Sequence, residues 1–504
     1  MLSRTVMHAS RLLVAFLISG GGLRAQTIPA GDPPCRWRTF ARPPAEYAAA
    51  VTRARHVICD QLARRVPGIQ VAVAVDGHLV WSEGFGYADV ETHRPITAAT
   101  MFRIGSVSKP LTADVLALLV QAGKLDLDAS IQRYVPSFPA KRWPITPRAL
   151  AGHLAGIRGY IDDYQENHAD RHYPTVTSGL AIFANDSLLF EPGTRFSYST
   201  YGYSLLSAVL EGAAGQDFPS VMGAQVFRPL GLSHTALDRT DSVIPERAQA
   251  YEPDTGGRFH IAPPIDNSYK WAGGGVLSTA EDLVKFGAAH LSPGRLSQRS
   301  IDLLFTSMHT ATGAETGYGV GWYVGRDGWG HRVAYHAGSA IGGSADLVLD
   351  RDRRVVFAMC LNLSGSDEVG NMLSPVWAEL PHLFELDSRD GPLVEAFNTD
   401  DATQVFAAYS ALGDTTAGLA ALVEVYVNGL GYQHLSRGEL QRAIDVFTLN
   451  TRYFPKAFNT WDSLAEAYLD QGDTTRAVTY YERSLTLNPA NDNARRILAH
   501  LGRP

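Results

Sequence analysis

Residues 69–75 read Ile-Gln-Val-Ala-Val-Ala-Val, with a β-branched residue at every second position. Asp76-Gly77 follows, and then His78-Leu79-Val80-Trp81. Alternation on both sides of Asp-Gly predicts a β-hairpin, because that dipeptide accepts the positive φ angles of a two-residue turn. A second pair of runs lies far along the chain: Leu347–Leu349, the polar turn Asp350–Arg354, and the apolar stretch Val355–Leu361. The long segment between the two pairs is of helical and loop-like pattern. The expected fold is therefore α+β: an antiparallel sheet assembled from both ends of one domain, flanked by helices, with a helical subdomain beside it.

The pattern changes after about Phe384. Residues 384–403 are acidic, carry Gly and Pro, and read as a linker. Beyond it Gly438 and Gly472, Ala443 and Ala477, Phe447 and Tyr481, and Pro455 and Pro489 each repeat at a spacing of 34 residues. That period, with a small residue, an aromatic four later and a proline eight after that, resembles the tetratricopeptide repeat. Trp461, Leu464, Ala465 and Tyr468 fill the second copy; Val427 and His434 replace aromatics in the first. Residues 404–504 are thus expected to be all-α, two repeats with 491–501 as a cap. The resemblance implies a protein partner. A stack this short is expected to pack on the main domain.

Composition narrows the possibilities. With 45% apolar and 19% charged residues the 504-residue chain has the makings of a folded core rather than a disordered segment. The formal net charge of −7 leaves no basic excess to hold a phosphate backbone, which argues against nucleic acid as a partner. Residues 1–31 have no Asp or Glu but carry Arg4, Arg11 and Arg24, and Leu12–Ile18 is unbroken apolar. This reads as a signal peptide over 1–25, giving a secreted or periplasmic protein, with a mitochondrial presequence as the alternative. The run is too short to span a bilayer, for which about 20 residues are needed. Of the three cysteines, Cys35 and Cys59 are able to pair, and Cys360 lies in an apolar run expected to be core. His168 and His172 have no third ligand near them, so no metal is expected.

The candidate chemistry begins with a rarity: six lysines against 44 basic residues in all. Among them Lys109 alone has a serine three positions earlier, Ser106. Leu111, Val115, Leu118 and Leu119 then share one helical face and Gly123 stops the run. Ser106 and Lys109 therefore stand one turn apart at a helix start. A serine hydroxyl needs a base, a buried amine of lowered pKa is one, and helix N–H groups favour a developing oxyanion. By itself a Ser-x-x-Lys spacing equally fits a polar helix start.

Two later segments change the balance. Tyr198-Ser199-Thr200 precedes a helical pattern, and His336-Ala337-Gly338-Ser339 leads into the late hairpin. In this order, S-x-x-K, Y-x-N or a variant, and K-T-G or H-x-G, the chain resembles the serine β-lactamase and penicillin-binding protein superfamily, in its class C, DD-peptidase and esterase branch. His153-Leu-Ala-Gly156, Pro192-Gly193 and Gly273-Gly-Gly275 with Ser278–Asp282 also match. Within the superfamily, residues 123–128, 156–160 and 196–203 look most like the mitochondrial serine β-lactamase-like proteins and their bacterial relatives. The resemblance covers about residues 45–383.

It implies a serine hydrolase that forms an acyl-enzyme at Ser106 from an amide, peptide or ester. Lys109 would be the base. Tyr198 would relay a proton, its pKa lowered by Lys109 and its neighbours. The N–H groups of Ser106 and Ser339 would form the oxyanion hole. Thr200 and Gly338 would line the substrate. His336, in place of the lysine of K-T-G, would steady the tyrosine's proton or touch a substrate carboxylate. No cofactor is called for. Thr200 stands where many relatives carry Asn, and a hydroxyl is shorter than an amide, which weakens the expected substrate contact and β-lactam hydrolysis with it. His153 is expected to be structural and Gly273–Gly275 a tight turn. The contrasting expectation is a retired hydrolase scaffold whose repeats do the work.

Overall fold

The computed structural model describes residues 35–61, 66–161, 170–254, 258–327, 330–364, 401–413 and 417–502, with Glu166, Pro392, Leu393, Ala396 and Thr399 besides. The signal segment, His168 and most of the expected linker lie outside these residues. The main sheet is built from β1 (Trp37–Ala41), β2 (Gly68–Val75), β3 (His78–Asp89), β4 (Arg94–Pro95), β5 (Tyr323–Arg326), β6 (Arg332–Ala340), β7 (Gly343–Asp350) and β8 (Val355–Leu361). Its order is β1-β3-β2-β8-β7-β6-β5, antiparallel throughout, with β4 on β3. The central pair joins the two ends of the domain: Ile69 faces Leu361 and Val75 faces Val355. Asp76 and Gly77 hold φ angles of 50° and 82°, the turn their sequence predicts.

The alternation of side chains gives the sheet two buried faces. On one, α1 (Ala48–Gln61) lays Val51, Ala54 and Ile58 over Val71, Val73, Phe357 and Met359. On the other, Ala72, Val356, Ala358 and Cys360 join a larger core with α2 (Ser108–Gln121), α3 (Thr200–Ala214) and α4 (Ala280–Ala288). A β-carbon on Gly287 of α4 would sit 2.6 Å from Val356, so its absence lets that helix lie close on the sheet. A small three-stranded sheet, Phe102–Arg103, Val276–Ser278 and Ala236–Leu237, fixes the chain just before Ser106 beside the chain just after Gly275.

The C-terminal part is helical: α5 (Ala402–Ala411), α6 (Ala417–Ser436), α7 (Leu440–Tyr453), α8 (Phe458–Asp470), α9 (Thr474–Leu487) and α10 (Asp492–His500). Gly438 and Gly472 take positive φ at the turns inside the two repeats. Ala443 and Phe447, and Ala477 and Tyr481, are buried between their helices. The stack is one helix longer than expected, since Phe406 of α5 stacks on Tyr453 at 3.8 Å. Leu393 and Ala396, expected in a linker, are buried in the same cluster as Val405 and Val427. The apolar clusters of these helices are made of residues from Leu393 onward.

Candidate active site

Ser106 sits in a single 3₁₀ turn, Gly105–Val107, that runs directly into α2. The turn is pinned from behind. The Ser108 hydroxyl donates to Gly105 O at 2.7 Å and accepts from Val276 N–H at 3.1 Å, while Thr112 donates to Ala272 O at 2.9 Å. Gly105 has φ +49°, and a β-carbon there would lie within 2.7 Å of the Ser339 backbone. The Ser106 turn and strand β6 are thus in backbone contact.

Lys109 is fully buried. Its Nζ lies 2.9 Å from Ser106 Oγ, donates to Gly273 O at 2.6 Å, and sits 4.7 Å and 5.5 Å from the ring centres of Tyr198 and Tyr203. Burial, helped by the charge of Lys270, holds this amine well below its ordinary range. The Gly273–Gly275 run does more than turn. Gly273 and Gly274 end a short helix, Trp271–Gly274, and the Gly273 carbonyl anchors the lysine.

Tyr198 stands one residue before the cap of α3. Ser199 Oγ accepts from Gly202 N–H at 3.0 Å and donates to Arg158 O at 2.6 Å. The Tyr198 ring centre lies 4.7 Å from Lys109 Nζ, the amine that also meets Ser106. Burial pushes the phenol well above its usual range, and the neighbouring Ser106 hydroxyl offsets only part of that. This corrects the expectation of a lowered pKa: the amine meant to lower it is itself driven toward the neutral form. Thr200 opens α3 and packs its methyl against Gly273, where a β-carbon would be 2.8 Å away.

His336 is buried with both ring nitrogens engaged. Nδ1–H donates to Ala337 O at 2.7 Å, which leaves Nε2 to accept from the Tyr318 hydroxyl at 3.1 Å. Desolvation and the Lys109 amine lower its pKa to about 3. It is therefore a neutral, fully bonded ring 6.2 Å from that of Tyr198. Its two ring nitrogens are taken by Ala337 O and the Tyr318 hydroxyl, and neither bonds Tyr198.

Gly338 faces the Ser106 turn: a β-carbon would lie 2.0 Å from Ile104 O and 3.0 Å from Ser106 N. Its bare α-carbon sets the distance between strand and turn. Ala340 and Gly343 close a two-residue hairpin, so Ala340, Gly338 and His336 bond to β7. Ser339 turns its N–H the other way, to the edge that meets Gly105.

His153 has a rare positive φ of 58° for a residue with a side chain. Its carbonyl accepts from Ser197 N–H at 2.9 Å, and its Nδ1 from Ser199 N–H at 3.1 Å. Its ring lies 4.2 Å from that of Tyr198. It clamps the backbone on both sides of the tyrosine and supports the phenol from below. Tyr318, Tyr203 and Lys270 carry no motif of their own, and sequence reasoning missed them. Tyr318 was legible only as the aromatic of Gly317-Tyr-Gly-Val-Gly-Trp322, a run that the sequence reading left unassigned.

Other titratable groups lie elsewhere. His172 pairs with Asp266 at 2.9 Å. Asp327, His331 and Asp350 converge within 4.8 Å at the opposite end of β6 from Ser339. There His331 Nδ1 is already paired with Asp327 at 2.9 Å.

Comparison with known proteins gives these contacts a family. The β-lactamase family model matches residues 53–380. The chain belongs to the β-lactamase family. A tetratricopeptide repeat model matches residues 458–501. The chain is 34% identical over 412 residues to the human mitochondrial serine β-lactamase-like protein LACTB, covering 63% of this chain and 73% of that one. It is 27% identical to penicillin-binding protein 4* of Bacillus subtilis, covering 56% and 65%. The solved octameric penicillin-binding protein homologue of Pyrococcus abyssi superposes with a TM-score of 0.56 at 26% identity, covering 68% and 81%. The β-lactamase-family match spans Ser106, Lys109, Tyr198, His336 and Ser339, and the fold is that of the penicillin-binding proteins. No helix among the described residues is long and apolar enough to cross a membrane.

Proposed function

We propose that this β-lactamase-family hydrolase works through an acyl-enzyme on Ser106, cleaving an amide, peptide or ester. The observation that carries the reading is the grouping around one hydroxyl: Lys109 Nζ lies 2.9 Å from Ser106 Oγ and 4.7 Å from the centre of the Tyr198 ring. As a neutral amine, Lys109 keeps one N–H for Gly273 O and turns its lone pair to the serine proton. Oγ bonds to the substrate carbonyl carbon as that proton moves to Nζ. Tyr198 then gives its hydroxyl proton to the leaving nitrogen or oxygen and is recharged from Lys109. The N–H groups of Ser106 and Ser339 receive the carbonyl oxygen as it becomes negative, and one such donor is worth about 2.7–4 kcal/mol in a transition state. Water adds to the acyl carbon by the reverse proton route and frees Ser106. A phenol kept protonated by burial suits a donor, and an amine kept neutral suits an acceptor. His336 and His153 hold Tyr318, Tyr198 and the strand in place rather than exchange protons. Thr200, half-buried at the start of α3 two residues after Tyr198, would contact the substrate.

The Cys35–Cys59 disulfide supports an oxidising compartment, secreted or periplasmic. The repeats support a protein partner. Labelling with a fluorophosphonate or a fluorescent penicillin tests the reading: wild type should label on Ser106 and Ser106→Ala should not. Failure of both to label a folded protein would overturn it and favour a scaffold. A panel of nitrocefin, p-nitrophenyl acetate, D-Ala-D-Ala peptides and L-peptides then separates the substrate classes.

A further inference from the structure

A lysine is missing where the superfamily pattern puts one. His336 occupies that position, and it is neutral and bonded on both nitrogens. A second lysine reaches the site from another stretch of chain. Lys270 ends the 3₁₀ turn Ser268–Lys270, immediately before the short helix whose Gly273 carbonyl holds Lys109. It is only 4% exposed, with its Nζ 5.2 Å and 5.8 Å from the ring centres of Tyr269 and Tyr160. A β-carbon built on Gly274 would lie 3.9 Å from Lys270 Cδ and 3.8 Å from the carbonyl carbon of Gly105. The stem of Lys270 therefore runs about one side chain's width from the turn that carries Ser106.

We propose that Lys270 supplies the second positive charge of this site and thereby holds Lys109 as a neutral, proton-accepting amine. Two ammonium groups flanking one backbone segment in dry protein repel strongly, and the more deeply buried of them gives up its proton. The surroundings of Lys109 offer little to oppose this. Ser106 faces it from its own helix start, Tyr198 from the segment just before α3, Tyr203 from α3, His153 from the turn after the short helix Pro147–Ala151, His336 from β6, and the Gly273 carbonyl and Lys270 from the segment 268–275. Among the described residues that face Lys109 these are hydroxyls, imidazoles, a carbonyl and a second amine, with no carboxylate. The direction of the shift at Lys109, downward by burial first and Lys270 second, agrees. Lys270 acts through Lys109, as a positioning residue. Its importance for turnover rests on the reading of Lys109 as base, but the charge coupling can be read without turnover.

The chain holds six lysines, so ¹³Cε-lysine spectra of the full-length protein can follow Lys109 across a pH titration. Lys270→Met should raise the Lys109 midpoint by about one pH unit, while Lys270→Arg, which keeps the charge, should leave it near wild type. Lys270→Gln carries the same expectation as methionine should the latter fail to fold. An unmoved midpoint in the folded neutral variants overturns the proposal, as does an arginine variant that shifts as far as methionine. The pH profile of Ser106 labelling is the second readout. Its acid limb should move upward with the midpoint, so that one unit below the shifted limb Lys270→Met labels about tenfold more slowly than its own plateau. A midpoint that moves while the limb stays would keep the coupling and remove Lys109 as the base.

Discussion

At the scale of single residues, the site is a set of polar groups whose protonation is fixed by burial. Lys109 is pushed down, Tyr198 up, and His336 down to about 3. Lys109→Ala should therefore slow Ser106 labelling by a factor of a hundred or more, on the scale of a lost general base. If the lysine serves the proposed chemistry rather than the fold, the variant should melt no lower than wild type by more than a few degrees; a collapse in Tm would instead mark Lys109 as structural. The histidines give a stability prediction. Both His153 and His336 are buried and neutral, with folded values below the ordinary 6.5. Below pH 6.5 the unfolded chain gains protons that the folded chain refuses, so stability is whole above 6.5 and falls toward pH 3. The slope approaches about 1.4 kcal/mol per pH unit for each histidine. Urea midpoints at pH 7 and pH 5 should show the loss, and His336→Asn should reduce it. An equal loss in that variant would place the acid sensitivity elsewhere.

At the scale of elements, the proposed chemistry depends on how closely strand β6 approaches the Ser106 turn. Gly338→Ala puts a methyl 2.0 Å from Ile104 O, a contact that only a shift of the strand relieves. It should cost at least a hundredfold in labelling while the far-ultraviolet circular dichroism stays native. Gly325→Ala in the neighbouring β5, where a β-carbon meets nothing within 4 Å, should be silent. Equal labelling of both variants would show that the approach does not matter. These elements were legible in unequal measure. Although α2 is buried nearly all round, its apolar spacing and the β2–β3 and β7–β8 hairpins announce themselves by period and turn chemistry, which are local properties. So does the 34-residue repeat. The grouping of Ser106, Lys109 and Tyr198 was legible only through motif order, and the protonation of the group was not, because desolvation depends on residues brought from several elements. Tyr318 reaching His336 and Lys270 reaching the Tyr160 ring are such long-range meetings. The expected linker failed for the same reason: acidic texture hid Leu393 and Ala396, whose burial depends on α5 and α6.

At the scale of the molecule, the sheet carries two cores, and they are secured differently. The face under α2, α3 and α4 is large and holds the site. The face under α1 is smaller, and α1 follows an N-terminal edge strand, β1, that pairs only with β3. Here the chain adds a covalent tie: Cys35, just before β1, is bonded to Cys59 in α1, 24 residues on. Closing a loop of that length stabilises a fold by about 3 kcal/mol through the entropy of the unfolded chain. Cys360 is the free thiol, buried in the larger core, and burial raises its pKa, so it is a poor exchange partner for this bond. Reduction, or the double change Cys35→Ser with Cys59→Ser, should therefore lower the unfolding midpoint and loosen β1 and α1 first. Hydrogen exchange should report that loss of protection along β1 and α1. The Ser106 turn lies on the opposite face, so the labelling rate below the melting transition should stay within about twofold of wild type, because the catalytic core keeps its own packing. If reduction instead abolished labelling while the helices around α2 stayed protected, the two faces would be coupled, and the disulfide would have to be counted as part of the site's support.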